Sequence, residues 1–196
     1  MLARSPRRAV RWLLPLTLAA AAPACGLLSE PTPDVAAKQA YDANGLRFDY
    51  PGNWKHEAEV TAADGIETVL VTVESTGSAI AMVQQFKPAI AIDPDEMLGL
   101  LTTELRKAAG EQLAGALDYA QGGSRSTTRT MLGAERPVRA SSFEVALVGQ
   151  KVPHTFEVVV AELDDRSIMV FTQAPDEDLA TVRPGFDQIV GSLTAR

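Results

Sequence analysis

The C-terminal part of the sequence constrains the fold most strongly, because it joins a short strand to a long, one-faced helix. Residues 168–172 are strand formers, and an acidic segment at 176–178 follows the break at Pro175. Apolar residues then recur at intervals of three and four positions: Leu179, Val182, Phe186, Ile189 and Leu193. This spacing is typical of a helix that lays one apolar face on a sheet. The segment therefore predicts a helix over 179–193 that covers a β-sheet supplied by the rest of the chain.

The middle of the chain supplies strands for that sheet. Apolar runs bounded by turn residues predict extended segments at 46–50, 54–61, 66–73, 79–86, 125–132, 136–148 and 152–163. Because the last of these segments has apolar residues on both faces, we expect it to be a central strand that is covered on both sides.

A second helix is predicted between the two groups of strands. Asp93 can cap it, Pro94 fits its first position and Glu96 completes a capping-box spacing. The apolar spacing that follows predicts a helix over 94–114. Together with the C-terminal helix, this defines the predicted fold class. It is an α+β domain, an α-β-α sandwich in which a central antiparallel sheet carries helices on both faces.

Residues 1–24 have the three parts of an export signal. Four arginines and no acidic residue lie in the first eleven positions, an apolar run follows at 12–22, and small residues at 22–24 end it. The run is shorter than the ~20 residues that a permanent membrane-spanning helix needs. We therefore expect a signal peptide that is removed from the mature protein.

The only cysteine of the chain, Cys25, directly follows this segment. The arrangement resembles a bacterial lipoprotein precursor, in which the cysteine after the cut is acylated and becomes the new N-terminus. Ala22 stands where such precursors usually carry leucine, and residues 22–24 also fit ordinary signal peptidase, so both interpretations stay open. An exposed thiol on an exported protein is prone to oxidation, which favours acylation. The resemblance implies a protein of the bacterial cell envelope, lipid-anchored on the periplasmic or outer face.

Charge limits the partners of the mature protein. The leader holds four of the 18 basic residues and none of the 25 acidic ones, so its removal leaves a net charge of −11. Such a surface argues against nucleic acid as a partner and against adhesion to anionic lipid through basic residues. Attachment to the membrane would instead come from acyl chains on Cys25.

The chain between Cys25 and the first predicted strand has prolines and no hydrophobic period, which is typical of a linker. It could form one loose helical turn at 35–41, and Asn44-Gly45 marks the entry to regular structure. The 196 residues therefore divide into a signal peptide at 1–24, a lipidated flexible tether at 25–44 and one folded domain at 45–196.

Two motifs resemble a known fold family. They are FDYPGNW at 48–54 and FDQIVGSL at 186–193, and with the elements between them they resemble the PsbP-like superfamily over 45–193. That superfamily includes photosystem oxygen-evolving subunits, bacterial DcrB-like lipoproteins and a eukaryotic Ran-GTPase release factor. The resemblance implies an α-β-α sandwich that acts without catalysis as a binding or assembly accessory, and it implies no particular partner. Pro184-Gly185 departs from the pattern and is expected to kink or restart the closing helix.

The sequence shows no catalytic or metal-binding set. Its histidines, His56 and His154, are nearly a hundred positions apart, and no third ligand stands at helical or hairpin spacing. The acidic groups at 93–96 and 176–178 open predicted helices, where carboxylates complement the helix dipole, and they lack the spacing of a calcium loop. A nucleophile elbow and a phosphate-binding loop are also missing. We therefore expect no enzymatic activity, no metal and no cofactor.

Trp54, Arg125 and Arg129 are the candidate ligand-binding residues. The two arginines lie in a basic stretch of an acidic protein and would share one face of a strand. They could hold an anionic ligand or an acidic partner, or they could simply pair with neighbouring acids. Trp54 could stack on a ligand or close the end of the core.

These features predict a non-enzymatic envelope lipoprotein that binds a protein partner or assists assembly. A small-ligand carrier is the alternative, with a cleft between sheet and helix near Trp54 and the arginines. A hydrolase with a dispersed site is a third and less favoured interpretation.

Overall fold

The structure, a computed structural model, describes residues 30–101, 103, 119–147 and 150–196. The predicted signal peptide, Cys25, and residues 102 and 104–114 of the predicted helix at 94–114 lie outside the described residues. The elements in chain order are β1 (Gln39–Ala43), β2 (Leu46–Tyr50), β3 (Lys55–Ala63), β4 (Ile66–Glu74), β5 (Ile80–Lys87), α1 (94–101), β6 (Tyr119–Met131), β7 (Ala134–Leu147), β8 (Gln150–Glu162), β9 (Ser167–Pro175), α2 (Leu179–Ser192) and β10 (Thr194–Ala195).

Seven strands form one antiparallel sheet in the order β3-β4-β5-β9-β8-β7-β6. Tight hairpins join several neighbours, as at Asp64-Gly65, where φ is 52° and then 79°. Two successive positive φ angles are what a type I′ hairpin turn requires. The segment predicted to be a central strand, β8, lies inside the sheet between β9 and β7.

A small second sheet, in the order β1-β2-β10, packs with α2 on one face of the large sheet. Phe48 of β2 and both Phe186 and Ile189 of α2 are buried in one apolar cluster with Val71 and Val170 of the large sheet. The stripe of apolar residues that predicted α2 is therefore the part of the helix that enters the core.

The other face of the large sheet carries a second apolar cluster. Along β9, Ile168 and Val170 belong to the first cluster, whereas Met169 and Phe171 belong to the second. Because successive residues of a strand point to opposite faces, the two clusters occupy opposite sides of the sheet. The second cluster also contains three residues at the start of α1: Met97, Leu98 and Leu101.

The α+β class is confirmed, and the predicted strands and the closing helix are found with shifts of up to six residues at their ends. The predicted end of the helix at 94–114 lies outside the described residues. The start of α1 at Pro94 is confirmed together with its cap, because Asp93 Oδ1 accepts hydrogen bonds from the backbone N–H groups of Asp95 and Glu96, at 2.8 and 3.3 Å. Strand β6 begins at Tyr119, six residues before the predicted start. Within the described residues, neither helix has the length and apolar character needed to cross a bilayer.

Two expectations are corrected. The helical turn at 35–41 is wrong, and residues 39–43, which were assigned to the flexible tether, form β1 and pair with β2. Tyr41 explains this, because its buried ring stacks on Phe48 with 5.3 Å between centroids. The closing helix is also continuous through Pro184 rather than restarting there. Because Pro184 has no N–H group, the carbonyl of Ala180 loses its hydrogen-bond donor within the helix. Ala180 is exposed, so water can donate to this carbonyl instead.

Candidate functional site

The first described residues form an N-terminal strap (residues 30–38) that is fixed to the domain. Asn53 binds the strap twice, because its Oδ1 accepts from the Asp34 N–H at 2.9 Å and its Nδ2 donates to the Thr32 carbonyl at 3.0 Å. Gln188 of α2 donates to the carbonyl of Val35 at 3.1 Å. The chain is therefore held against the domain well before the first strand begins.

The strap begins at Glu30, whose carboxyl is buried beside the β4–β5 turn. Its Oε2 accepts a hydrogen bond from the Ser78 N–H at 2.8 Å, and its own N–H donates to Asp178 Oδ1 at 3.3 Å. A Cβ atom on Gly77 would collide with this carboxyl group, so the glycine makes room for it. Glu30 thus joins the start of the strap to the β4–β5 turn and to the start of α2.

Trp54 packs inside the domain. Only 2% of it is exposed, and its ring meets the ring of Phe186 at 5.6 Å between centroids with a 70° angle between planes. Its Nε1 has no hydrogen-bond partner among the described residues. A ligand could stack on this indole only if α2 moved away.

Arg129 lies on β6 beneath α2 and is engaged by two carboxylates. Its Nη2 is 2.6 Å from Glu157 Oε2, and its Nη1 is 3.0 Å from Asp187 Oδ1. Glu157 Oε2 also lies 2.6 Å from Nη1 of Arg183 on α2. The carboxylate of Glu157 therefore links an arginine of the sheet to an arginine of the helix.

Opposing effects act on the carboxyl group of Glu157. Burial raises its pKa above the ordinary value, whereas the charges of Arg129 and Arg125 oppose that rise. Arg129 thus contacts the Glu157 carboxylate and the charge of Arg125 acts on it, while Trp54 meets the neighbouring part of α2 at Phe186. Arg125 is exposed, but Arg129 is largely covered by its own ion pairs.

The two histidines lie on opposite sides of the large sheet and on different strands. His56, at the start of β3, is exposed, and its Nδ1 is 2.8 Å from the Tyr50 hydroxyl. His154 on β8 packs edge-on against Phe143, and burial lowers its pKa to about 4, with Asp176 acting in the opposite direction. No group of three potential metal ligands is found in the part of the chain that the structure describes.

An open depression of about 420 Å³ lies on the other face of the sheet, at the start of α1. Its apolar wall includes Ile92, Pro94 and Pro137. Arg139 also lines it, but its Nε is 3.2 Å from Asp95 Oδ1, so this cation is already paired. The depression is thus separate from the predicted ligand residues near α2.

The exposed outer edge of strand β3 is a candidate binding surface that the sequence analysis did not identify. It ends the large sheet, and its outer edge pairs with no strand of the described chain. All of its residues except Ala63 are exposed, including Val60, which is 49% exposed. An open edge of this kind can accept a further strand. From Lys55 to Glu59 the strand carries three charged residues and a single apolar one, Ala58, and this polarity was the available signal for an edge.

No model of a known protein family matches the chain, and no curated protein matches it. Solved structures do match. PsbP from the cyanobacterium Synechocystis sp. PCC 6803 is similar over 88% of this chain and 97% of its own, with 13% identity and a TM-score of 0.47.

Two further structures are similar at lower TM-scores. A protein from Bacteroides thetaiotaomicron VPI-5482 matches 81% of this chain and 48% of its own, with 11% identity and a TM-score of 0.43. LpqN from Mycobacterium tuberculosis, described as involved in cell envelope biogenesis, matches 80% of this chain and 89% of its own, with 13% identity and a TM-score of 0.39. A PsbP structure is thus one of the solved structures to which this chain is similar, and PsbP-like was the fold that the two motifs suggested.

Proposed function

We propose that this protein is a non-enzymatic lipoprotein of the bacterial cell envelope that binds a protein partner. The observation that carries the proposal is the leader, with its basic start, short apolar run and small-residue end, followed at once by the only cysteine, Cys25. Acyl chains on Cys25 would hold the domain at a membrane outside the cytoplasm. The domain is an α-β-α sandwich in this proposal, because α1 and α2 contribute to different apolar clusters of the large sheet.

A binding role is favoured over chemistry by how the charged groups beneath α2 are arranged. Arg129 and Arg183 are both directed at Glu157, and Arg129 also pairs with Asp187, so the two arginines are balanced by two carboxylates of the domain itself. The outer edge of β3, by contrast, pairs with no strand among the described residues, so another molecule can add to it.

The partner that fits this edge is an extended segment of another protein, which adds to the sheet as a strand beside β3. Main-chain hydrogen bonds would provide affinity, and alternate side chains would face the two sides of the sheet. On one side the segment would meet Ala58 and Val60, and on the other Glu57 and Glu59. The acidic residues and the negative charge of the mature chain favour a basic segment.

Acylation is tested with radiolabelled palmitate in cells that produce the wild-type chain or the Cys25→Ser variant. We expect label in the wild type and none in the variant. A wild-type chain without label, or a variant that takes up as much label as the wild type, would exclude the lipoprotein.

Partner binding is tested by chemical cross-linking of the acylated protein in envelope membranes, with Val60→Lys and Val35→Lys as a matched pair. The two valines are exposed to similar extents, 49% and 40%, but only Val60 lies on β3. A lysine in an edge strand opposes further pairing, so we expect Val60→Lys to reduce the cross-linked complex by about tenfold. Val35→Lys should leave it unchanged. Equal yields from the two variants would contradict binding at the β3 edge.

A small-ligand carrier is the second candidate, favoured by the open depression at the start of α1. Its volume of about 420 Å³ is sufficient for a small molecule. Because Arg139 is paired there with Asp95, a neutral and largely apolar ligand fits better than an anion. Native mass spectrometry of protein released from membranes would reveal the added mass of such a ligand. Protein that is always released without added mass would exclude this candidate.

A further inference from the structure

We infer that in the membrane-anchored protein one end of the large sheet faces the lipid bilayer. This proximal end comprises Glu30, the β4–β5 turn at 75–79 and the turn at 175–178 that leads into α2. The inference rests on the acylation of Cys25 proposed above, and it concerns the surface that the anchored domain presents to lipid.

The first step is the length of chain between the anchor and the domain. Only residues 26–29 separate Cys25 from Glu30. The five peptide units between the two Cα atoms can span at most ~18 Å. Because the carboxyl of Glu30 is bound to the backbone of Ser78, the acyl chains must enter the bilayer within that distance of the proximal end.

The second step is that the strap after Glu30 cannot act as a hinge. Asn53 holds it by two hydrogen bonds, and the Gly52 N–H donates to the Asp34 carbonyl at 2.9 Å. A flexible tether over 25–44, as the sequence predicted, would reach ~65 Å and leave every orientation open. The ordered strap removes most of that freedom.

The third step is the size of the domain along its strands. The nine residues of β9 span ~27 Å from the turn at 164–165 to the proximal end. This distance exceeds the reach of residues 26–29, so the domain cannot stand on the bilayer with the turns at 64–65, 132–133 and 164–165 directed at the lipid. The β7–β8 hairpin continues past the last β8–β9 pair, His154 with Pro175, and so extends toward the membrane.

Charge does not provide the attraction in this arrangement. The exposed Glu74, Asp176 and Glu177 give the proximal end a negative charge, and anionic lipid would repel it. The acyl chains must therefore hold it in place, and neutral phosphatidylcholine vesicles are the appropriate probe.

The experiment places one fluorophore at either end of the domain. Thr76→Cys and Asp164→Cys put a thiol in an exposed turn at the proximal and the far end, respectively. Cys25 does not compete for the label when its sulfur carries lipid. Each labelled protein is inserted into phosphatidylcholine vesicles that contain lipid with a nitroxide headgroup, and the quenching of fluorescence is measured. From the ~27 Å between the two ends, we expect quenching at position 76 to exceed that at position 164 by about twofold or more. Equal quenching, or stronger quenching at 164, would overturn the inference.

Flotation of the vesicles separates the two proposals. Protein that does not float with them lacks the anchor, which overturns both the lipoprotein and the orientation. Protein that floats but is quenched equally at both ends overturns the orientation alone. As a further control, about ten glycine and serine residues inserted after Ser29 add ~35 Å of reach. This variant should float and lose the difference in quenching, and a difference that persisted would show that the short linker does not orient the domain.

Discussion

The backbone of Gly185 lies directly against the indole of Trp54. A Cβ atom on Gly185 would stand 2.9 Å from Cζ2 of Trp54 and 3.0 Å from Cγ of Pro51. Both opposing groups are rings of buried residues, which a close-packed interior does not allow to swing aside. Helix α2 therefore approaches the segment after β2 at a distance that only glycine permits.

We expect Gly185→Ala to destabilise the domain although alanine is the better helix former. The gain in helix propensity is about 1 kcal/mol, whereas forcing a methyl group into a filled core costs about 1–3 kcal/mol. Urea unfolding should show a net loss of up to about 2 kcal/mol. Gly191→Ala is the matched control in the same helix, because nothing lies within 4 Å of its added Cβ, and it should stabilise the domain. A stabilising Gly185→Ala would contradict the close approach.

Phe186→Ala tests whether α2 closes the core. Phe186 is completely buried and meets Trp54 edge to face, so its loss leaves a cavity and should cost about 3–5 kcal/mol in free energy of unfolding. The neighbouring Asp187→Ala removes a side chain that is 56% exposed and should cost less than about 1 kcal/mol. If the two variants were equally stable in urea, the helix could not be packed as described.

The elements that the sequence predicted correctly are those that local chemistry determines. Asp93 caps α1 through hydrogen bonds to the residues two and three positions further along the chain. The Asp64-Gly65 dipeptide supplies the positive φ angles of its own turn. The stripe that predicted α2 likewise needs only the helix period. None of these depends on which distant segment lies nearby.

What the sequence could not predict depends on contacts between distant segments. Strand β1 forms because Tyr41 reaches the core, and a single aromatic in a polar stretch is a weak signal. Leu132 adopts a φ of 54° in the β6–β7 turn, although leucine is not a turn residue. At the candidate site, strand spacing placed Arg125 and Arg129 on one face. The link from Arg129 to Glu157 arises only when two non-adjacent strands and α2 come together.

Arg129→Ala and Arg125→Ala distinguish an internal ion pair from an exposed cation. Removal of Arg129 leaves the buried carboxylate of Glu157 with less compensation, so we expect a loss of about 2–3 kcal/mol. Arg125 is exposed, and its removal should cost less than about 0.5 kcal/mol. Urea unfolding of the two variants measures both values. Similar losses would show that Arg129 is not held as described.

The loss in Arg129→Ala should also depend on pH. Arg129 lowers the pKa of Glu157, so its removal raises that pKa further above the ordinary value. A carboxyl group whose pKa is raised in the folded state makes the domain less stable as pH rises through that pKa. The deficit relative to wild type should therefore be larger at pH 7 than at about pH 4. A deficit that is constant across this range would mean that the arginine acts through packing alone.

His154 should make the domain less stable in mild acid. Burial lowers its pKa to about 4, while the unfolded chain keeps the ordinary value of 6.5. Between these two values the unfolded state binds the proton and the folded state does not, so stability falls as pH drops from 6.5 toward 4. The full effect is at most about 3 kcal/mol, at 1.36 kcal/mol per pKa unit. Urea unfolding of wild type and His154→Gln across this range should show stabilities that converge, or cross, as the pH falls. His56→Gln is the control, because it removes a histidine from the opposite side of the sheet. Parallel stability curves for wild type and His154→Gln would contradict the burial of the His154 ring.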